Sequence, residues 1–360
     1  MRDRGRLRGA IVGYGFISAA GHVPAYAAAS EDFEIVAVAD TCSARRTRAR
    51  MDLPNARVYE DHASLLLAES GRIDFVDVTT PPSEHARIAR AALARGLHVL
   101  CEKPVATTPD DLRAMVADAS RAKRVLFPSH NYKYAPVIAA VNGILASSAI
   151  GRVRLVTLQT FRTTHARGVP EWRPDWRRER RWSGGGIAMD HGAHTLYLAF
   201  DWLNGYPTAL SAKTTTLGSF DTEDNMSCTM TFPAGIATAE LSWTAGVRKV
   251  LYTIHGERGA IRVEDDDVEL TFLRKGADGH MVQEKDRRRI RSEWGDASHS
   301  KWFGPLFARF VRAVRGEEDA RGELEDALRC VEVIAAAYAS AADGGRARSL
   351  PEAPLVRQTM

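Results

Sequence analysis

The chain has 360 residues, 45% hydrophobic and 26% charged, and its 49 basic and 45 acidic side chains leave a formal charge of only +4. That length exceeds one typical core and implies two domains, and so mild a charge gives no support to a nucleic-acid partner. Cys42, Cys101, Cys228 and Cys330 form no C-x-x-C pair, and no apolar run reaches the ~18 residues of a membrane span, so the reading is a reducing, cytoplasmic protein without disulfides, zinc or membrane contact.

Taken in order, residues 8–12 form a short apolar strand that runs into Gly13-Tyr14-Gly15-Phe16-Ile17-Ser18, where a helix should begin and continue to Ala29. A β-branched strand follows at 33–40. Helices are expected at 43–51, 63–68, 84–95 and 110–121, and strands at 75–78, 98–101 and 125–127. Strands alternating with helices predict a parallel, doubly wound sheet. Beyond residue 150 the texture changes. Strands are expected at 153–158 and 209–217. Met226, Cys228, Met230 and Phe232 alternate with polar neighbours, as do Ala237, Ala239, Leu241 and Trp243 after the Pro233-Ala234-Gly235 turn. Period-two runs joined by tight turns predict a half-buried antiparallel sheet, with Met226, Met230 and Trp243 on a face that a second subunit would cover. The last helical region spans 303–342, interrupted at 315–319. The fold class expected is α/β, a Rossmann sheet over residues 1–128. An α+β domain with an open-faced sheet follows over 129–360, its C-terminal helix returning towards the first domain.

The loop G-x-G-x-x-S is a dinucleotide fingerprint in context, because a strand precedes it and a helix follows. Gly13 permits the tight turn, Gly15 lets a pyrophosphate approach the backbone, and Ser18 is small enough for close helix packing. Asp40, ending the second strand, is placed to accept from the adenosine ribose hydroxyls, which favours NAD and leaves NADP open. Arg45 and Arg46 lie close by. They read either as partners for a 2′-phosphate or as a solvated helix face.

Four segments carry more than local structure: the glycine loop, Thr80-Pro81-Pro82-Ser83-Glu84-His85, Cys101-Glu102-Lys103-Pro104, and Gly185-Gly186-Ile187-Ala188-Met189-Asp190-His191-Gly192-Ala193-His194. In this order they resemble the Gfo/Idh/MocA family, the glucose–fructose oxidoreductase and inositol dehydrogenase group, over nearly the whole chain. The resemblance implies a Rossmann domain followed by an open-faced mixed sheet. It also implies that Thr80, Pro81 and His85 lie beside the cofactor with Phe16, Ile17 and Glu102. Lys103, before what the family suggests is a cis proline, is implied to touch both substrate hydroxyl and nicotinamide. His130-Asn131-Tyr132-Lys133-Tyr134-Ala135-Pro136 matches a further family segment. It brings Tyr132 and Lys133 towards substrate, although a surface lysine would look the same.

The residues support that reading independently. Asp190 and His194, at i and i+4 on a predicted helix, share one face, and a carboxylate beside an imidazole suits it to proton transfer. The bland alternative is a capping aspartate and a core histidine. His191 lies about 100° round the helix and reads as pocket-lining or merely packed. The D-H-x-x-H string shows no third ligand, so no metal is expected. Seven arginines occur between Arg162 and Arg181 against three acids, with Trp172, Trp176 and Trp182 among them. They suggest either a wall for an anionic substrate, with Arg173 and Arg177 as contacts, or a surface loop with local ion pairs.

The function expected is hydride transfer between a sugar or cyclitol carbinol and NAD(P). His194 and Asp190 would handle the proton and Lys103 the oxygen, in a homodimer or homotetramer. An epimerase or lyase working by transient oxidation, and a non-catalytic dinucleotide-binding regulator, remain as alternatives.

Overall fold

The computed structural model describes residues 5–275 and 280–351. The first sheet is built from β1 (Leu7–Val12), β2 (Phe33–Ala39), β3 (Arg57–Tyr59), β4 (Phe75–Val78), β5 (His98–Cys101) and β6 (Leu126–Pro128). All pairs are parallel, in the order β3-β2-β1-β4-β5-β6. The connecting helices are α1 (Val23–Ala28), α2 (Ser43–Asp52), α3 (His62–Glu69), α4 (Pro82–Leu93) and α5 (Pro109–Ala122). Local chemistry sets their ends. Thr108 caps α5, accepting from the Asp111 amide at 3.1 Å, Pro109 occupies its first turn, and Lys123 ends it in a left-handed conformation. The helix expected to begin in the glycine loop and continue to Ala29 starts at Phe16 and carries an internal turn of π-helix, Ser18–His22. The wider turn accompanies a full burial of His22.

The chain continues through α6 (Pro136–Ala146), β7 (Val153–Phe161), α7 (Arg180–Ser183) and α8 (Ile187–Trp202). Next come β8 (Ala209–Thr215), β9 (Asn225–Thr231), β10 (Ile236–Ser242), β11 (Lys249–Gly256), β12 (Gly259–Glu264), β13 (Asp267–Lys275) and β14 (Met281–Arg289). It ends with α9 (Ser300–Val314), α10 (Arg321–Ala342) and β15 (Arg348–Ser349). The second sheet has the order β14-β13-β12-β11-β7-β10-β9-β8-β15 and is antiparallel except for β7 with β10.

The chain divides into two compact units. One runs to Asn131 and adds Ala166–Gly184 and Ala297–Val331; the other comprises Tyr132–His165, Gly185–Asp296 and the residues from Glu332. In the first, Val36, Val76, Val99, Ile88 and Leu112 form a core that Ala327 and Val331 of α10 complete. In the second, α8 lies across β7, β9 and β10. That corrects one expectation. Met226, Met230 and Trp243 are buried within this chain and do not await a second subunit. The sheet's other face carries Lys213, Ser227, Glu240 and Ser242, with Leu155 and Ile236 exposed among its polar residues.

Candidate active site

In the first unit, the predicted cofactor residues gather at the carboxyl edge of the parallel sheet, where open α/β folds bind ligands. Gly13 follows β1 with φ at 94°, and a Cβ there would meet the Thr79 carbonyl at 2.9 Å. Its amide donates to the Ala39 carbonyl at 2.8 Å, and the Thr79 hydroxyl donates to its carbonyl at 2.5 Å. Gly15 faces open space, with no atom within 4 Å of where a Cβ would stand. Phe16 is exposed and Ile17 half-buried beside it. Among the described residues, the hydroxyls of Ser18, Thr80 and Ser83 are buried without a hydrogen-bond partner. An open glycine cradle and unsatisfied donors fit a dinucleotide phosphate and its ribose.

Asp40 stands one residue beyond β2. It accepts from the Tyr14 amide at 2.6 Å and the Cys42 amide at 2.7 Å. Burial still pushes its carboxyl above the ordinary value, against the pull of those amides and of Arg45 and Arg46. Neither arginine lies on a solvated face, which corrects the second of the two readings. Arg45 is buried, its Nε donates to the Tyr14 carbonyl at 2.7 Å, and Arg46 donates to the Asp40 carbonyl at 2.9 Å.

His85 braces the opposite end of the loop cluster. One ring nitrogen lies 2.9 Å from the Pro104 carbonyl and the other 2.7 Å from the Thr80 carbonyl, tying the turn around Pro81 to the turn at Lys103. Burial pushes its pKa down despite those carbonyls. The Lys103–Pro104 bond is cis. Lys103 is half-buried, and its amide donates to Glu102 at 3.1 Å.

Beneath it lies a network that sequence reasoning missed. The His22 ring lies 2.7 Å from Asp77 and 3.0 Å from Glu102, and the Tyr26 hydroxyl donates to Asp77 at 2.9 Å. Phe303 and Phe307 close over it, with centroids 4.4 and 5.6 Å away. Burial opposes the charged imidazole, but the two carboxylates outweigh it and raise its pKa to about 10. The signal available was Asp77 inside the apolar strand Phe75-Val76-Asp77-Val78, since a buried carboxylate needs a partner.

In the second unit, α8 presents the predicted acid–base residues. Its N-terminus is held by Glu223, which accepts from the Gly186 and Ala188 amides at 2.9 Å each and from the Tyr338 hydroxyl at 2.8 Å. Glu223 thus fills the capping role weighed for Asp190. The glycine pair is explained as well. A methyl on Gly185 would overlap the Tyr338 hydroxyl, and one on Gly186 the Glu223 carbonyl.

Two turns on, the His194 ring stacks on Tyr132, with centroids 3.7 Å apart, and its Nδ1 lies 2.7 Å from the Tyr197 hydroxyl. His191 is packed rather than exposed, its Nε2 3.7 Å from Asp190. Lys133 is no surface lysine. Its side chain is 11% exposed, with Nζ 3.7 Å from Asp201 and 5.6 Å above the Tyr197 ring. The structure therefore gathers Tyr132, Lys133, Asp190, His191 and His194 in one cluster. Burial pushes the Tyr132 phenol up, against Arg162 and Arg248 nearby.

The arginine-rich stretch is divided between the units. Arg162 belongs to the second unit and residues 166–184 to the first. There Arg167 pairs with Asp175 at 3.2 Å and Arg173 with Glu179 at 3.4 Å. The Arg177 guanidinium lies 4.2 Å over the Trp176 ring and donates to the Ala166 carbonyl at 3.1 Å. Glu171 lies 3.8 Å from Arg45.

Comparison with known proteins agrees with this architecture. Residues 7–130 match the family described as an oxidoreductase family with an NAD-binding Rossmann fold, and 138–262 match the GFO/IDH/MocA C-terminal domain. The D-apiose dehydrogenase of Paraburkholderia graminis is 32% identical over 268 residues, 72% of this chain and 68% of that protein. A levoglucosan dehydrogenase solved with NADH superposes with a TM-score of 0.84 at 22% identity, covering 97% of this chain and all of that one. The WlbA dehydrogenase of Bordetella pertussis, solved with NADH and UDP-GlcNAcA, gives 0.82 at 25% identity over 98% of this chain and 100% of its own.

Proposed function

This chain belongs to the Gfo/Idh/MocA family of NAD-binding oxidoreductases, and we propose that it oxidises or reduces one carbinol of a sugar or cyclitol. Residues 1–128 would bind the dinucleotide, and residues 129–360 would bind substrate and a second subunit. The bound nicotinamide supplies the hydride acceptor or donor. Gly13, Gly15, Phe16 and Ile17 hold its phosphates, Asp40 its adenosine ribose, and Thr80, Pro81, His85, Glu102 and Lys103 its nicotinamide end.

His194 takes the hydroxyl proton in oxidation and returns it in reduction. With Nδ1 engaged by Tyr197, the proton is exchanged at Nε2. Lys103 places an ammonium against the developing alkoxide, and Asp190 sets the basicity of the α8 cluster. Tyr132, Lys133 and His191 surround the substrate, with Arg173 and Arg177 as further contacts.

The observation that carries this reading is the fixed His194 ring, stacked on Tyr132 and bonded to Tyr197 in a family motif. A substrate panel of free sugars, cyclitols and sugar nucleotides, followed by the absorbance of reduced nicotinamide, tests it. Turnover of at least one carbinol is expected, and its absence across the panel would refute the reading. Calorimetry should show NADH binding more tightly than NADPH. No observation favours the epimerase, lyase or regulator readings.

Among the described residues no helix is long and apolar enough to cross a membrane, and a cytoplasmic setting is part of the proposal. So is a homodimer or homotetramer, which light scattering would detect. Its interface would be the polar sheet face with Leu155 and Ile236 exposed beside it.

A further inference from the structure

Two arginines of the second unit carry charge that the proposed hydride chemistry leaves unused. Arg162 follows β7 directly, and Arg248 immediately precedes β11. The Arg162 guanidinium donates to the carbonyls of Phe161 at 2.8 Å and Lys249 at 3.4 Å, and it bonds the Tyr132 hydroxyl. Arg248 donates to the Trp294 carbonyl. Trp294 in turn stands edge-on to Tyr132, centroids 5.1 Å apart, and Tyr132 stacks on His194. Both cations are thus fixed around the aromatic ring that carries the proposed base.

Many arginines of this chain pair with carboxylates, as in Arg154 with Glu257, Arg312 with Glu318 and Arg329 with Glu325, while exposed ones such as Arg124 and Arg258 bond to carbonyls. Arg162 and Arg248 have no such ion pair among the described residues. Each is oriented by neutral carbonyls, and each repels the other. Partial desolvation and Arg162 together push Arg248 below its ordinary pKa, against the pull of Tyr132 and Asp265. Asp265 also attracts Arg248 but pairs with Lys249 at 3.3 Å, and two oriented guanidinium forks without an ion pair of their own suit a planar or tetrahedral anion.

We propose that Arg162 and Arg248 clamp an anionic group on the substrate, so that the enzyme acts on a sugar bearing a carboxylate or a phosphate. The inference rests on the reading of His194 as the base at the reacting carbinol. It shifts anion recognition from the tryptophan-stacked Arg173 and Arg177 to a pair beside that base.

The test is calorimetric titration of the NADH-loaded protein with D-glucuronate, D-glucose 6-phosphate and D-glucose. At least one anion should bind roughly tenfold more tightly than glucose, as expected for a charge-assisted bond, and the stronger anion identifies carboxylate or phosphate. Arg248→Gln, in an exposed loop, should erase that advantage while glucose affinity changes less than about twofold. Arg162→Lys, which keeps the charge but not the fork, should retain part of it. Glucose binding as tightly as both anions, no binding of either anion, or equal loss for all three sugars would overturn the clamp. Oxidation of a neutral sugar, untouched by Arg248→Gln, would overturn the clamp and leave the dehydrogenase reading standing. Loss of NADH binding or of all turnover would count against that reading instead.

Discussion

The two units hold charge in opposite ways. In the first, His22 is sealed between Asp77 and Glu102, one cation within 3.0 Å of two carboxylates. In the second, the Tyr132–His194 stack is ringed by Arg162 and Arg248, whose bonds run to neutral groups. A buried ion-paired network makes a rigid support, because removing its cation leaves uncompensated carboxylates in the interior. An unbalanced one makes a receptor, because the missing counter-charge can arrive with a ligand. The first unit is thus braced beneath its proposed cofactor loops, and the second holds two arginines without an ion pair beside the proposed base.

The largest effect should come from the receptor side. His194→Ala should lower turnover by about 10²- to 10⁴-fold, the usual contribution of a general acid–base group, with NADH affinity unchanged by fluorescence titration. Near-normal turnover would remove His194 from the chemistry.

His22→Gln should break the supporting side, costing roughly 3–5 kcal/mol in denaturant unfolding because Asp77 and Glu102 lose their common cation. The pH dependence gives a sharper signature. His22 is raised from 6.5 to about 10 in the folded protein, so its contribution is complete below pH 6.5 and fades as pH rises towards 10. Wild-type stability should decline across that window, and the variant should lack that component of the decline. Identical profiles would contradict a charged His22.

Glu223→Gln should cost less, about 1–2 kcal/mol, since the amide can still accept one bond at the α8 terminus but carries no charge. Turnover should fall together with thermal stability, because the helix start also places Asp190 and His194. A variant as stable as wild type would make the cap incidental. The smallest effect is expected for Arg177→Ala. Its exposed cation–π contact is worth about 0.5–1 kcal/mol, so KM should rise no more than roughly fivefold. A rise above a hundredfold confined to anionic sugars would return the anion site to this segment.

The sequence made much of this fold legible, for identifiable reasons. Strands such as β2 and β10 announce themselves by β-branching or by period-two alternation, and the cofactor loop by its glycines. The strands from Lys249 to Arg289 escaped notice. β14 carries Glu284 to Arg289 in succession, so it shows no apolar period, and β3 has only three residues. The site was legible where one motif held its own chemistry, as in Glu102-Lys103 or Asp190 to His194. It was illegible where partners meet through tertiary structure. Glu223 lies among Asp221 and Asp224 in a polar loop and looks like any surface acid. Arg248 sits outside the conspicuous arginine stretch, and that stretch proved to be two groups of residues with different surroundings.

The borders of the nine-stranded sheet bear on how the protein survives at high concentration. One border is β14, whose run of alternating acids and bases resists flush pairing with a foreign strand. At the other, the two residues of β15 cover Ala209 and Leu210 of β8, and the Ala212 amide beyond them is taken by the Ser340 hydroxyl at 2.9 Å. A broad sheet of this kind would otherwise offer two long ladders of unpaired amides to every neighbour. Replacing the charges of β14 by threonine or valine would leave the catalytic residues intact and still shorten the protein's life in solution, because the cost would fall on colloidal behaviour rather than on chemistry.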